Sequence, residues 1–446
     1  MTTLDSRGFL TGFAAFVFFT GFAADAWRNS ITWWGYGVVV IASLVLAIVV
    51  LVRHRLVLRA SDVPVPLVAF LALCAASIVW SRYPLESAAG LLLQLLTTTI
   101  GLAVALTVDR AAILRALGRA LTAILALSLV FELVVAFVVR APVLPVWVVG
   151  ADRVDPPLLL FWSRNVLLDG EPVQGIVGSS SLLAMVAFLA IIVLGVQLAA
   201  GMIRRSRAIA WLALAGATVA ITRSATVLLG LVAVAVVLAM ILIVRRTPSG
   251  RPRAIVYGSL AVAGVGLVAI ALVAREGILS TLGKSSDLTG RAGIWEAVIG
   301  LAEQRPALGW GWISFWAPWR EPFADLVTRN GVVQLHAHNA WLDVWLQLGI
   351  VGLVVFGALV LSTTLRAWLL ATDRVVTSAS ERGRFSSVSL AAPLLMTALL
   401  VQSLAESRLL IEGGWLLLVV LAASTKASHP SRARSLPSVV DAEVRS

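Results

Sequence analysis

Residues 225–244 read ATVLLGLVAVAVVLAMILIV, with Arg223 just before the run and Arg245 and Arg246 directly after it. A helix of about 20 residues rises about 30 Å, the thickness of a bilayer's hydrocarbon core. An uncharged run of that length with cations at its ends predicts a membrane span. The same pattern recurs outward along the chain, near 8–24, 33–52, 64–80, 87–107, 119–139, 178–199, 207–221, 254–273, 340–362, 389–405 and 409–424. With 225–244 this predicts about 12 transmembrane helices and an all-α polytopic membrane protein. Of the 446 residues, 60% are hydrophobic and 13% charged, against about 45–50% and about 25% in soluble domains, which excludes a large soluble enzyme.

The net charge of +12 would point to nucleic acid in a soluble protein. Here it reads as topology. With the N-terminus in the cytoplasm, Arg53, Arg110, Arg115, Arg204, Arg205, Arg245, Arg246 and Arg366 all fall in short cytoplasmic connections or at their edges, as the positive-inside rule requires. Both termini are then cytoplasmic, and no nucleic-acid partner is expected. The first run follows Arg7 and reads as an uncleaved anchor or a cleavable signal. Cys74 stands alone in an apolar run, so no internal disulfide forms.

The chain divides into N-terminal spans 1–5 over residues 1–139, an extracytoplasmic loop 140–177, a transmembrane domain 178–424 containing a long extracytoplasmic loop 274–339 between spans 9 and 10, and a disordered cytoplasmic tail 425–446. Long loops in compact proteins bind, cover or catalyse something. The first loop carries Pro142, Pro145, Pro156, Pro157 and Pro172 beside Trp147 and Trp162, so it is expected to be irregular. In the second, Ile294, Trp295, Val298 and Ile299 share one helical face over 291–303. Thr289 is the expected N-cap of this short amphipathic helix, and Pro306 and Gly309 its stop.

The candidate site residues gather beside that helix. Trp295, Trp310 and Trp312, with Asn339, read either as part of an interfacial aromatic belt or as a surface for a glycan, since aromatic faces cover the apolar face of a pyranose. His338 stands at the outer start of span 10, where the helix dipole keeps an imidazole neutral and able to accept a proton. His336 and His338 have no further histidine or cysteine nearby to complete a zinc site, so neither metal nor cofactor is expected. Arg223, in the turn between spans 7 and 8, either snorkels to the interface or awaits an anion. Arg291 opposes the dipole of the loop helix unless it holds an anion. A diphosphate suits both arginines, because guanidinium binds phosphate oxygens in a bidentate fork. Glu132 and Glu412 lie in apolar runs and either have internal partners or take part in a proton relay, while Glu406 and Arg408 form a structural pair or extend the polar cleft.

Over about residues 207–362 the chain resembles the bacterial O-antigen ligases and the related O-antigen and exopolysaccharide polymerases. The motifs are Thr222-Arg223-Ser224, Arg291 followed by Trp295, then Pro306, Gly309 and Gly311, and above all His338-Asn339 with Gly349-Ile-Val-Gly352 nine residues on. Gly349 and Gly352 also have a physical reading, as small residues one turn apart that let a neighbouring helix approach. His336 has no place in the family pattern. The resemblance implies a metal-independent, inverting membrane glycosyltransferase with its active site on the outer face of the cytoplasmic membrane. It would move a glycan from a polyprenyl diphosphate-linked donor to a glycan, lipid or wall-polymer acceptor, among membrane lipids. His338 would be the catalytic base and Arg223 and Arg291 would hold the diphosphate. Polymerisation and polysaccharide transport remain alternatives.

Overall fold

The computed structural model describes residues 6–54, 63–150, 154–248, 250–259, 291–324, 326–329, 331–373 and 385–427. The first helices are α1 (Arg7–Phe22), α2 (Ala24–Arg53), α3 (Val65–Ser77), α4 (Pro84–Thr107), α5 (Arg110–Val134), α6 (Ser180–Ala199), α7 (Arg205–Thr222) and α8 (Ala225–Arg246). Then come the loop helix α9 (Ala292–Ala302), α10 (Ala340–Thr372), α11 (Ala391–Ser403) and α12 (Glu412–Ala427). A two-stranded hairpin pairs Thr328 with Val333 and Arg329 with Val332. Among the described residues, 6 helices are long and apolar enough to cross a membrane: α2, α4, α5 with its continuation to Val139, α6, α8 and α10. The protein is thus a mostly helical membrane protein. The expected ninth span beyond 259, the Thr289 cap and the tail beyond 427 lie outside the described residues.

Local sequence explains where these helices start. Ser6, Asp109 and Ser224 each turn a side-chain oxygen back onto an amide of the first turn, of Phe9, Ala112 and Val227 respectively, satisfying donors that a helix start leaves open. α6 is the most enclosed of the long helices, with Leu183, Phe188, Leu189 and Val193 all buried in the main apolar core. Glu132 has the partners its apolar setting demands. It accepts from Ser163 Oγ at 2.9 Å and from the amides of Gln174 and Gly175 at 3.2 and 2.7 Å. The first loop is thereby tied to α5, and its described residues are irregular as expected apart from single-turn 3-10 segments at Leu158–Leu160 and Gly175–Val177 and one antiparallel bridge between Val143 and Ser163.

The long loop docks on a break in α10. Gly349 has φ 66° and ψ −165° inside that helix, a conformation open in practice only to glycine. Segment 306–311 closes onto the break: Trp310 and Gly311 donate to the carbonyls of Leu346 and Gln347 at 3.0 and 2.8 Å, and Ile350 donates to Pro306 at 2.8 Å. The peptide groups freed by the break are paired by the loop, which is how interrupted membrane helices are tolerated. This corrects the helix-packing reading of Gly349. A Cβ there would lie 2.1 Å from the Ala307 carbonyl oxygen, so what approaches is loop backbone and not a neighbouring helix.

Near the start of α2 and the start of α12, four charges interlock. Arg28 reaches Asp25 and Glu412 at 2.5 Å each, and Arg408 reaches Glu412 at 2.5 Å and Asp25 at 3.7 Å. Beside this network, between α2 and α4, lies a mainly apolar cavity of about 300 Å³, with Trp33, Val40, Ile41 and Leu93 among its lining and Arg28 and Glu412 at its polar end.

Candidate functional site

His338 precedes α10 with a left-handed backbone, φ 51°. Its position is built by neighbours on both sides. Asn339 caps the helix, its Oδ1 accepting from the amides of Trp341 at 2.9 Å and Leu342 at 3.2 Å. Asp343, buried one turn on, accepts from Trp316 Nε1 at 2.9 Å and from the Ala337 amide at 3.0 Å, and also receives the Ser407 hydroxyl. Ser407 in turn accepts from the Asn339 amide at 3.2 Å. The histidine loop and the turn 404–411 are therefore stitched together through one carboxylate, and Glu406 is carried up to the histidine.

Glu406 is the centre of the cluster. Its Oε2 lies 3.0 Å from His338 Nδ1, and its Oε1 accepts from Arg291 at 2.6 Å and from Ser181 Oγ at 3.4 Å. Burial alone would raise this carboxyl, but the hydrogen bond and charge of His338 and the charge of Arg291 hold it down to about 2. The other ring nitrogen of His338, Nε2, is 3.0 Å from Gln334 Oε1. His336 stands edge-on to His338, ring centres 4.1 Å apart, and its Nδ1 accepts the His338 amide at 3.2 Å. Burial, and then the neighbouring His338, push the His336 imidazole well below its ordinary value, so it is neutral. Leaving Arg291 with no carboxylate opposite it is strongly destabilising for a pair this buried, so Glu406→Ala is expected to cost about 3–5 kcal/mol, read as a lower melting temperature in detergent.

Of the two readings of Glu406 and Arg408, the structural pair is corrected, since Arg408 belongs to the network with Glu412 and Asp25, whereas Glu406 extends the polar cluster around His338 and Arg291. Among the described residues no cysteine or further histidine joins the two histidines, but a carboxylate does: His336, His338 and Glu406 bring possible ligand atoms within 4.8 Å of one another. With a guanidinium already on the same carboxylate, that charge is balanced by Arg291 in this arrangement.

The structure places the other expected site residues as follows. Arg291 sits at the N-cap position of α9, paired with Glu406 while its Nε is buried without a partner among the described residues. Arg223 is exposed, left-handed at φ 49°, and forms no hydrogen bond or ion pair among the described residues. Arg245 at the far end of α8 bonds Ser389 just before α11 at 2.9 Å, so α8 and α11 run antiparallel. Arg223 is therefore at the same end of the bundle as Glu406. The tryptophans disagree with a glycan surface. Trp312 is fully buried against Phe70, with ring centres 5.4 Å apart. Trp310 is buried, donates to the Leu301 carbonyl at 2.9 Å and lies under the Arg305 guanidinium. Trp295 is half-buried and donates to the Ala337 carbonyl at 3.0 Å. Trp295 and Trp310 belong to the loop's own small core and Trp312 to the main apolar core, so no sugar has access to Trp310 or Trp312, and the Asn339 side chain is occupied by capping. The buried face of α9 is Ile294, Val298, Leu301 and Ala302, with Ile299 at its edge.

Sequence reasoning gave Glu406 no link to His338, and it did not single out Asp343, Ser407 or Gln334 at all. Asp343, an acid inside an apolar run and five residues after the histidine, was the available signal.

The fold and this cluster define a helical membrane protein with a buried histidine–carboxylate–arginine site at one end of the bundle. Residues 208–357, from α7 into α10, match the family model described as "O-Antigen ligase", so the resemblance read from the sequence stands over that segment, with Arg223, Arg291 and His338 inside it. A curated relative, the "Exopolysaccharide production protein ExoQ" of Rhizobium meliloti (strain 1021), is 30% identical over 101 residues, which cover 20% of this chain and 22% of the relative.

Proposed function

We propose that this chain is a membrane glycosyltransferase of O-antigen ligase type, moving a glycan from a polyprenyl diphosphate carrier to a hydroxyl acceptor on the outer face of the cytoplasmic membrane. The observation that carries the reading is Glu406 against His338 Nδ1, an arrangement that orients the ring and makes Nε2, now 3.0 Å from Gln334 Oε1, the nitrogen that meets the acceptor once it displaces that amide. Nε2 takes the proton of the acceptor hydroxyl as its oxygen bonds the anomeric carbon. The bond from that carbon to the diphosphate breaks, its electron pair leaves with the phosphate, and attack from the opposite face inverts the centre. Arg223, without a partner among the described residues, and the guanidinium of Arg291 supply charge and donors for the departing diphosphate. The scheme calls for no metal.

About 12 spans with both termini cytoplasmic, and the loops 140–177 and 274–339 outside, complete the proposal. The cavity between α2 and α4 suits a hydrocarbon chain of the lipid-linked donor. The word exopolysaccharide in the relative's name favours a second reading, in which the acceptor is the growing chain itself.

Purified protein incubated with radiolabelled lipid-linked donor and candidate acceptors tests this. A single addition to a distinct acceptor means ligase, and a lengthening ladder means polymerase. Donor moved across the bilayer without a new glycosidic bond means a carrier and ends the proposal. Hydrogen bonds to charged groups are worth about 1.5–3 kcal/mol, so Arg223→Ala should weaken donor binding about 10- to 100-fold. Unchanged binding would remove Arg223 from the diphosphate site.

A further inference from the structure

At the end of the bundle opposite Glu406, four cations gather without an acid to pair them among the described residues. Arg110 begins α5, Arg245 lies in the last turn of α8, Arg366 near the end of α10 and Lys426 in the last turn of α12, each half-buried. They bond only to neutral groups. Arg110 donates to the Ser424 carbonyl at 3.5 Å, Arg366 to the hydroxyls of Thr425 and Thr363 at 3.4 and 3.3 Å, and Lys426 to the Val63 carbonyl at 2.7 Å. Arg245 donates to the Ala371 and Ser386 carbonyls and to Ser389 Oγ. Two nearby acids are turned elsewhere: Asp109 caps α5 at the Ala112 amide, and Asp373 pairs with Arg253.

Arg110 is the odd member. The others stand toward helix C-termini, where a cation suits the dipole, but Arg110 is the first residue of its helix, where the field favours an anion. Of the five N–H donors of its guanidinium, one is spent among the described residues. Arg110 also lines a cleft. The polar members of that cleft, Ser389, Ser424 and Thr425, stand with it at the helix ends, while Ile113, Leu117, Leu395 and Leu417 line it farther into the bundle. Helix orientation calls for cations at this end, but not for an apolar cleft running inward from one of them.

We propose that this cleft seats one acidic glycerophospholipid, its phosphodiester on the Arg110 guanidinium and an acyl chain among Ile113, Leu117, Leu395 and Leu417. Guanidinium forks onto phosphate oxygens, and basic pockets between membrane helices take anionic headgroups. Arg245 and Arg366 bond Ser389 and Thr425 of the cleft wall, which brings two further charges toward the same headgroup. A free phosphate matches the polar end alone and leaves the apolar wall uncovered. The chain beyond 427 is the poorer occupant, because Arg432, Arg434 and Arg445 outnumber Asp441 and Glu443 and give it the sign of the site itself. The site goes beyond the transferase reading, and only its assignment to the cytoplasmic leaflet rests on the proposed topology.

Native mass spectrometry of the full-length protein, supplied in detergent with increasing phosphatidylglycerol, tests the site without turnover, so its failure is distinct from failure of the transferase reading. One phosphatidylglycerol is expected to stay bound per chain under conditions that strip phosphatidylcholine of the same acyl chains. Arg110→Gln should weaken that binding about 10- to 100-fold. Arg110→Lys, which keeps the charge but loses the fork, should fall between and serves if the glutamine variant does not fold. Arg115→Gln removes an exposed cation farther along α5 and should bind as the wild type does. Equal losses in Arg110→Gln and Arg115→Gln would mean general attraction of acidic headgroups to a basic surface. Inorganic phosphate held as tightly as the lipid would mean a free-anion site. Binding that arises only when Asp441→Asn and Glu443→Gln are combined would put the chain's own tail in the cleft. Any of these three results overturns the proposal.

Discussion

His338→Ala is expected to lower glycan transfer by ~10²–10⁴-fold, the usual worth of a positioned general base, with the protein still inserted in the membrane. The supports of the loop remain in that variant, because Asn339 caps α10 and Asp343 holds Ala337, neither through the imidazole. The backbone at 338 is left-handed, which costs alanine about 1–2 kcal/mol but is tolerated by asparagine. His338→Asn is thus the cleaner variant and should be equally inactive. Initial rates with labelled donor, normalised to the amount of folded protein, check both. Wild-type rates in His338→Asn would show that the proton of the acceptor goes elsewhere.

Gly349→Ala is expected to be the most damaging substitution for folding. The new methyl group would sit 2.1 Å from the Ala307 carbonyl oxygen, with Leu308 N only slightly further away, and both are backbone atoms of the docked loop. Strain at φ 66°, ψ −165° adds about 1–3 kcal/mol to that overlap. The sum falls in the range above about 4 kcal/mol that marks severe core and backbone lesions. Size-exclusion yield and melting of the detergent-solubilised protein measure it. A Gly349→Ala protein that melts with the wild type would mean that the loop does not dock at the break.

Much of the fold was legible because an uncharged run such as 225–244 has a single stable solution in hydrocarbon, a helix with every peptide group bonded within itself. The two-residue turn at Arg223 and Ser224 was readable for the same reason, as the gap between two such runs. The site was legible only in part. His338 and Arg291 stood out as a rare histidine and an oddly placed cation, yet the acid between them comes from a turn 68 residues beyond His338 and past the segment that resembles the family. Contact across that distance is decided by how α10 and α11 pack, which spacing along the chain does not encode. Trp310 and Trp312 were misjudged for a related reason. Tryptophan serves an apolar core, an interface or a sugar equally well, and only the path of segment 306–312 against α10 decides among them.

The interlocked charges of Asp25, Arg28, Arg408 and Glu412 have a consequence for biogenesis. Arg28 is made early, and its partner Glu412 follows 384 residues later, so the ribosome completes nearly every other helix before that carboxylate exists. Until then the second helix carries a guanidinium that only Asp25 balances, in a setting where unpaired charge is costly. The last helix therefore works as a seal on assembly: a chain truncated before Arg408 leaves the Asp25–Arg28 pair on α2 without the second carboxylate and guanidinium that complete it, a lesion that distinguishes unfinished molecules from finished ones within the bilayer.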